Sequence, residues 1–137
     1  DLNIFFQDIL KEFKYKNLHI MTEENYSFVG RNNALKRCFN NLIQNGLSYG
    51  KNVYVSLNRA PNRLSILVED DGPGIPKDQH RNVFKPFYRL DKSRSLNKSG
   101  VGLGLSISED IINSHGGSIQ LSKSKYSGLL VKVSLPI

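Results

Sequence analysis

Residues 99–106 read Ser-Gly-Val-Gly-Leu-Gly-Leu-Ser and alternate three glycines with apolar residues. A dinucleotide fingerprint needs G-x-G-x-x-G directly after a strand, and a P-loop needs G-x-x-x-x-G-K-[ST]. Neither string fits this spacing, and three glycines would weaken a strand. The stretch therefore predicts a flexible loop that runs into a helix start, where free N–H groups favour an anion. A hinge that binds no ligand would have the same sequence.

A second stretch reads Asp-Asp-Gly-Pro-Gly from Asp70 to Gly74 and follows an alternating segment that predicts a strand. Glycine and proline are normal in a tight turn, so a turn alone would explain it. A carboxylate at a strand end can also accept a hydrogen bond from the amino group of adenine, whereas guanine presents a carbonyl oxygen there. The stretch is therefore either a simple turn or a site for an adenine base.

A third stretch, Asn-Asn-Leu-Ile-Gln-Asn-Gly-Leu-Ser-Tyr at 40–49, lies in a segment with helical spacing of apolar residues. On a helix, Asn41, Asn45 and Ser48 fall on one face. Asparagine is a poor residue for the middle of a helix. Its amide oxygen is a hard ligand that suits Mg²⁺, an ion that keeps most of its waters and bridges phosphates. Plain polar surface is the alternative, and two amides in one stripe disfavour it.

The positive charge of the chain concentrates in one segment, between residues 77 and 98, and the net charge is +7. Such a segment suits a polyanion, which could be nucleic acid, the phosphates of a nucleotide or an acidic partner, or it is a solvated surface. The segment contains Lys77, Arg81, Lys85, Arg89, Lys92, Arg94 and Lys98, against Asp78 and Asp91.

The composition, 39% hydrophobic and 23% charged, is ordinary for one globular domain of 137 residues. The single Cys38 excludes an internal disulfide and a zinc site built from several cysteines, and we expect it in the core. The chain has no apolar run of about 18 residues, and because its first residues lack a basic stretch followed by an apolar one, we expect no signal peptide. Because no initiator Met precedes Asp1, we expect a piece of a longer protein.

The elements that must position these stretches follow from hydrophobic periodicity. Their order predicts one sheet with helices on one face. Helices are predicted over 1–14, 33–49 and 103–115, with a short helix within 78–83; strands are predicted over 18–21 and 26–29, with hairpins pairing 52–58 with 63–70 and 118–122 with 129–135; residues 85–101 are predicted to form a long polar loop.

Together these stretches resemble the ATP-binding catalytic domain of sensor histidine kinases of the EnvZ type, in a superfamily shared with Hsp90, gyrase B and MutL. Four boxes occur in the family order and span essentially the whole chain: an N box at 41–49, a G1 box at 70–74, an F box at 84–89 and a G2 box at 100–105. The resemblance implies a Bergerat-type two-layer α/β sandwich, in which a mixed sheet of about five strands carries three helices on one face. It also implies an ATP lid at 88–101.

The resemblance assigns roles to individual residues. Asn45 would be the Mg²⁺ ligand and Asn41 would contact phosphate or a metal-bound water, and these two are the implied catalytic residues. Asp70 would bind adenine, and Tyr49 would pack near the nucleotide. The other implied ATP contacts are Lys51, Gly72, Gly74, Ile75, Phe87, Arg89, Arg94, Gly100, Val101, Gly102, Leu103, Gly104 and Leu105.

Two positions depart from the family pattern. Ser48 stands where the family often has Lys or Arg, which leaves Lys51 as the neighbouring cation, and Val101 stands where Thr is usual. The ATPase branches place a Glu one turn before the metal-binding Asn, where this chain has Asn41. An amide cannot act as a general base. We therefore expect the phosphate to be transferred rather than released to water.

The three histidines do not match the phosphate acceptor of this family, which Glu or Asp usually follows. His19, His80 and His115 precede Ile, Arg and Gly. The resemblance therefore implies an acceptor on a separate dimerisation domain of the same parent, a homodimer in the bacterial inner membrane with this domain in the cytoplasm and a response regulator downstream. A related ATPase or a serine-directed anti-sigma kinase is the alternative that Asn41 disfavours. A basic nucleic-acid-binding module would leave both glycine boxes unexplained, so no nucleic acid is expected.

Overall fold

The computed structural model describes residues 2–12, 17–21, 26–81, 84 and 101–137. The predicted loop at 85–101 lies outside these residues, apart from Val101. In chain order the elements are α1 (Leu2–Glu12), β1 (Leu18–Met21), α2 (Asn32–Tyr49), β2 (Val53–Ala60), β3 (Arg63–Asp70), a 3-10 turn (Lys77–Gln79), α3 (Val101–Ser114), β4 (Ser118–Lys123) and β5 (Leu129–Pro136).

The five strands form one mixed sheet in the order β1-β2-β3-β5-β4. β1 runs parallel to β2, and all other pairs are antiparallel. Both predicted hairpins are confirmed, because β2 pairs with β3 and β4 pairs with β5. The register places Val53 of β2 opposite Asp70, the last residue of β3. β3 is therefore a central strand whose carboxyl end meets the start of β2.

The helices cover one face of this sheet, which confirms the two-layer α/β prediction. On β3 the buried positions Leu64, Ile66 and Val68 alternate with less buried ones, as a strand with one covered face requires. Burial of each such side chain contributes about 1.5–3 kcal/mol. Phe6 of α1 and Phe39 of α2 pack edge to face, with ring centroids 5.2 Å apart, and join the two helices over the core.

Helices α2 and α3 are joined through two small buried residues. The Cys38 thiol donates to the Ser108 carbonyl at 3.8 Å, and the Ser108 hydroxyl donates to the Cys38 carbonyl at 2.9 Å. Burial raises the pKa of Cys38 to about 12, so the thiol stays protonated. The prediction that Cys38 is a core residue is confirmed.

Two short predicted elements differ from the structure. The prediction of a strand at 26–29 is wrong, because this segment passes α1 instead, where Leu2 N–H donates to the Tyr26 carbonyl at 2.8 Å. A pattern of four residues, three of them apolar or aromatic, is too short to distinguish a strand from an extended connection. The short helix near 78–83 is a 3-10 turn at Lys77–Gln79.

Among the described helices, none combines the length and the apolar character needed to cross a bilayer.

Candidate functional site

Asp70 is a buried carboxylate at the end of a central strand, with only 6% of its surface exposed. Oδ1 accepts hydrogen bonds from the Gly72 N–H at 2.9 Å and from the Leu129 N–H at 3.3 Å. Oδ2 takes no hydrogen bond from the described residues. Burial raises the pKa of Asp70, while the two backbone donors oppose that shift. The side chain thus holds one oxygen fixed and leaves the other for a donor outside the described residues.

Helix α2 passes directly over this carboxylate. A Cβ added to Gly46 would lie 2.7 Å from Val53 and 3.5 Å from the Asp70 Cβ, so a side chain at this position would collide with the strands. Asn41 and Asn45 are half-buried on the same helix, at the flank of its buried stripe. The structure therefore brings the predicted metal-binding helix against the predicted adenine-binding strand.

The loop after β3 is held against the end of α2. A Cβ on Gly72 would approach the Tyr49 carbonyl oxygen to 2.6 Å, which leaves no space for a side chain. Gly74 has a φ of 77°, a left-handed conformation that glycine adopts at no steric cost. Ile75 is half-buried and packs on the core. In the described residues these glycines serve backbone packing; their predicted contact with a base stays a prediction.

Asp71 was not singled out from the sequence, yet it organises the junction between α2 and β2. Its Oδ1 accepts from the Lys51 N–H at 2.7 Å and from the Asn52 N–H at 2.9 Å, and Oδ2 accepts from the Asn52 side-chain amide at 3.1 Å. The hydrogen bond from the Asn52 N–H is the largest cause that lowers the pKa of Asp71. These partners are about twenty residues away, so no local pattern marks this role.

Gly128 is a second residue that sequence reasoning missed. A Cβ at this position would lie 2.0 Å from the Asp70 Oδ1 and 2.3 Å from the Asp70 carbonyl oxygen. Only glycine lets the β4–β5 connection approach Asp70 this closely. In the sequence, Gly128 is a single glycine in a turn that contains serines. Ordinary hairpin turns contain the same residues, so the sequence did not indicate a contact with Asp70.

Helix α3 begins at Val101, two residues before the predicted start. Gly104 thus lies inside the helix as predicted, whereas Val101 and Gly102, which were predicted to precede the helix, lie in its first turn. The buried residues Leu105, Ser108 and Ile112 explain the stability of the helix, because helical spacing places them on its covered face. The first four N–H groups of a helix lack partners within it. In α3 these four N–H groups are those of residues 101–104, which include Gly102 and Gly104.

The remaining predicted contacts are only partly described. Lys51 is exposed, and its backbone N–H is bound by Asp71 rather than directed at Asp70. Leu103 lies in the first turn of α3. The residues that lie outside the described part of the chain are Phe87, Arg89, Arg94 and Gly100.

The three histidine rings all take part in hydrogen bonds. His19 is bonded to the Asn52 side-chain amide at 3.0 Å, and His80 to a backbone carbonyl at 2.9 Å. The His115 Nδ1 lies 2.8 Å from a carbonyl of its own helix, while its Nε2 accepts from the Arg31 N–H at 3.1 Å. These hydrogen bonds hold each ring against neighbouring atoms of the fold.

The site combines three features: the buried Asp70 carboxylate, the helix α2 with its two asparagines, and a helix, α3, whose first turn contains glycines. A comparison with protein families agrees with this combination. Residues 30–137 match the model of the histidine kinase-, DNA gyrase B- and HSP90-like ATPase family. The chain belongs to this family. The sensor histidine kinase GtrS of Pseudomonas aeruginosa is 35% identical over 137 residues, which cover 99% of this chain and 28% of GtrS.

Solved structures agree with this assignment. The NMR structure of the histidine kinase domain of the E. coli osmosensor EnvZ has a TM-score of 0.74 and 32% identity, covering 100% of this chain and 86% of that chain. The mycobacterial sensor histidine kinase MprB shares the fold, with a TM-score of 0.82 at 22% identity over 99% of this chain and 94% of that chain. The family match, GtrS and EnvZ confirm the prediction that this chain is the ATP-binding catalytic domain of a two-component histidine kinase.

This kinase domain is shorter than the proteins that it resembles. The chain spans about a quarter of the length of the curated relatives it matches, with 28% of GtrS and 24% of the E. coli sensor kinase CpxA covered.

Proposed function

We propose that this kinase domain binds ATP with Mg²⁺ and transfers the γ-phosphate to a histidine on a separate dimerisation domain of its parent. The observation that carries the proposal is Asp70, a buried carboxylate with one oxygen held by two N–H groups and the other beneath Gly46 of α2. Such a carboxylate accepts one hydrogen bond from the amino group of adenine. A base with a carbonyl oxygen at that position would bring two acceptors together, and it would be rejected.

The polar face of α2 is proposed to hold the phosphates through the metal ion. Asn45 follows Asn41 by one helical turn, both are half-buried, and Asn45 directly precedes the glycine that lies over Asp70. Within the described ranges, no cluster of three His, Cys, Asp or Glu side chains could hold a metal ion. The amide oxygen of Asn45 is the proposed protein ligand, because it is a hard oxygen that suits Mg²⁺, an ion that keeps several waters. Bound there, Mg²⁺ would neutralise charge on the phosphates.

The start of α3 is the proposed second phosphate contact. Its first turn presents N–H groups without helical partners and the positive end of the helix dipole. Because the glycines in this turn carry no side chains, an anion can approach the backbone closely. Lys51 and the basic residues Arg89 and Arg94 remain proposed phosphate contacts. Transfer then depends on positioning and electrostatic support of in-line attack.

The absence of a general base at Asn41 supports transfer over hydrolysis, because an amide cannot take a proton from water. The acceptor is proposed to lie on another domain, since none of the three histidine rings has the acidic neighbour of the acceptor motif. We further propose a homodimeric parent in the bacterial inner membrane, with this domain on the cytoplasmic side and a response regulator as the downstream partner.

The test is a transfer assay with radiolabelled ATP, this chain and a separately produced dimerisation domain that carries an acceptor histidine. We expect acid-labile label on the dimerisation domain and none on this chain. Asn45→Ala should slow transfer by at least about 100-fold, because a catalytic metal contributes several kcal/mol. Gln44→Ala removes an exposed amide one residue away and should leave the rate unchanged. Label on this chain alone, or fast phosphate release without the partner, would contradict the proposal.

A further inference from the structure

The β4–β5 connection, residues 124–128, contacts both faces of the sheet at the end of β3. Glu69 and Asp70 are consecutive on that strand, so their side chains point to opposite faces. Each is 6% exposed, and Asp70 is on the face covered by the helices. A buried carboxylate needs hydrogen-bond donors. The connection supplies the donor to Glu69, and Leu129, the first residue of β5 after it, supplies a donor to Asp70.

On the outer face, the donor to Glu69 is the hydroxyl of Ser124. The Ser124 Oγ donates to the Glu69 Oε2 at 2.6 Å, and Ser124 is 4% exposed. The same Oγ accepts from the Tyr126 N–H at 3.0 Å. The Ser124 hydroxyl thus donates its proton to the Glu69 carboxylate, and its oxygen accepts the hydrogen bond that closes the turn at Tyr126. Hydrogen bonds to charged acceptors are among the stronger ones.

On the inner face, the same connection reaches Asp70. The Ser124 N–H donates to the Gly128 carbonyl at 2.8 Å, which closes the loop, and Leu129 then donates to the Asp70 Oδ1 at 3.3 Å. Ser127 has a φ of 79°, a conformation that residues other than glycine rarely adopt. The shape of the loop is therefore imposed by its contacts, and the bond from Ser124 to Glu69 is its buried side-chain anchor.

We propose that Ser124 and Glu69 are positioning residues that set the base preference of the nucleotide site. Their bond holds Gly128 against Asp70 and keeps the Leu129 N–H on Oδ1, so that Oδ2 is presented at a fixed angle. Without it, the buried Glu69 carboxylate loses its donor and the loop moves, which releases Asp70 to rotate. This inference rests on the proposed adenine contact and adds to it the element that orients the carboxylate.

The test compares ATP with inosine triphosphate, which differs by a carbonyl oxygen in place of the 6-amino group and by the proton on N1. Calorimetry on the full chain should give the unmodified protein at least about a tenfold preference for ATP. Ser124→Ala should lower that preference about fivefold, as expected for one lost hydrogen bond. Ser124→Thr keeps the hydroxyl and should restore it. Ser122→Ala, which removes an exposed hydroxyl two residues away, is the matched control and should change nothing.

A purely structural role for Ser124 would lower the thermal midpoint and weaken both nucleotides equally. An unchanged preference in folded Ser124→Ala would therefore overturn the inference and leave the proposed function standing. No preference in the unmodified protein would overturn both. Should Ser124→Ala not fold, Glu69→Gln replaces the charged acceptor by a neutral one, with an expected loss of preference of about twofold. An unchanged preference in that variant would then overturn the inference.

Discussion

Asp70 and Asp71 are neighbours in the sequence, but they lie in opposite environments. Asp70 is enclosed under α2, where burial raises its pKa, and Asp71 sits at the α2–β2 junction, where hydrogen bonds lower its pKa. In Asp70, only Oδ1 accepts hydrogen bonds from the described residues. In Asp71, both carboxylate oxygens accept hydrogen bonds. Buried, incompletely paired carboxylates are typical of functional sites, whereas satisfied ones stabilise the fold. We therefore expect the two residues to separate binding from stability.

The largest effect is expected from Asp70→Asn, and it concerns the base. The asparagine oxygen can keep the bonds from Gly72 and Leu129, which places the amide nitrogen where Oδ2 was. ATP binding should weaken by about 1–3 kcal/mol, the cost of losing a hydrogen bond to a buried charged group. The preference should move towards inosine triphosphate, whose carbonyl accepts from an amide. Competition titration of both nucleotides measures this, and equal loss for both would contradict the adenine contact.

The complementary change, Asp71→Ala, should act on folding. It removes three hydrogen bonds that join the end of α2 to the start of β2. We expect a loss of about 1–2 kcal/mol in the free energy of unfolding, because these bonds are charge-assisted but partly exposed to water. The preference for ATP should remain. Urea denaturation followed by circular dichroism measures the loss, and Asp70→Asn is the control that should not be less stable at neutral pH.

The smallest effects are expected in the pH dependence of unfolding, where the two residues have opposite signs. A lowered folded-state pKa means that Asp71 stabilises the fold above its unfolded pKa, and this contribution is lost as pH falls through the folded value. A raised folded-state pKa means that the fold binds the Asp70 proton more tightly than the unfolded chain does. The Asp70 contribution therefore improves as pH falls from the folded pKa to the unfolded one.

Urea titrations from neutral pH down to about pH 3 should resolve these signs. The stability deficit of Asp71→Ala should shrink towards acid, since the protonated carboxyl loses its charge-assisted bonds. Any stability advantage of Asp70→Asn at neutral pH should also shrink, because Asp70 itself becomes neutral. Parallel curves for the two variants and the unmodified protein would contradict both assignments.

Much of the architecture could be predicted from local patterns. The alternation of β3 and the helical spacing of α2 are periodicities that need no tertiary information. The segment at 26–29 failed because a short extended run has the same pattern whether or not a strand pairs with it. The start of α3 was misplaced because glycine is unfavourable in a helix, by about 1 kcal/mol, and packing of Leu105 and the residues beyond it outweighs this preference.

The sequence by itself determined the order of the elements, the family, and the residue types available for a nucleotide: an acidic strand end, a helix with two amides and a glycine-led helix. Tertiary structure alone decided how they are held. Gly46, Gly72 and Gly128 matter because atoms of distant residues come within 2.0–3.5 Å of a Cβ at these positions. Asp71 and the Ser124–Glu69 pair act through partners about 20 and 55 residues away. Periodicity records which face a residue occupies, but it carries no information on which distant segment covers that face.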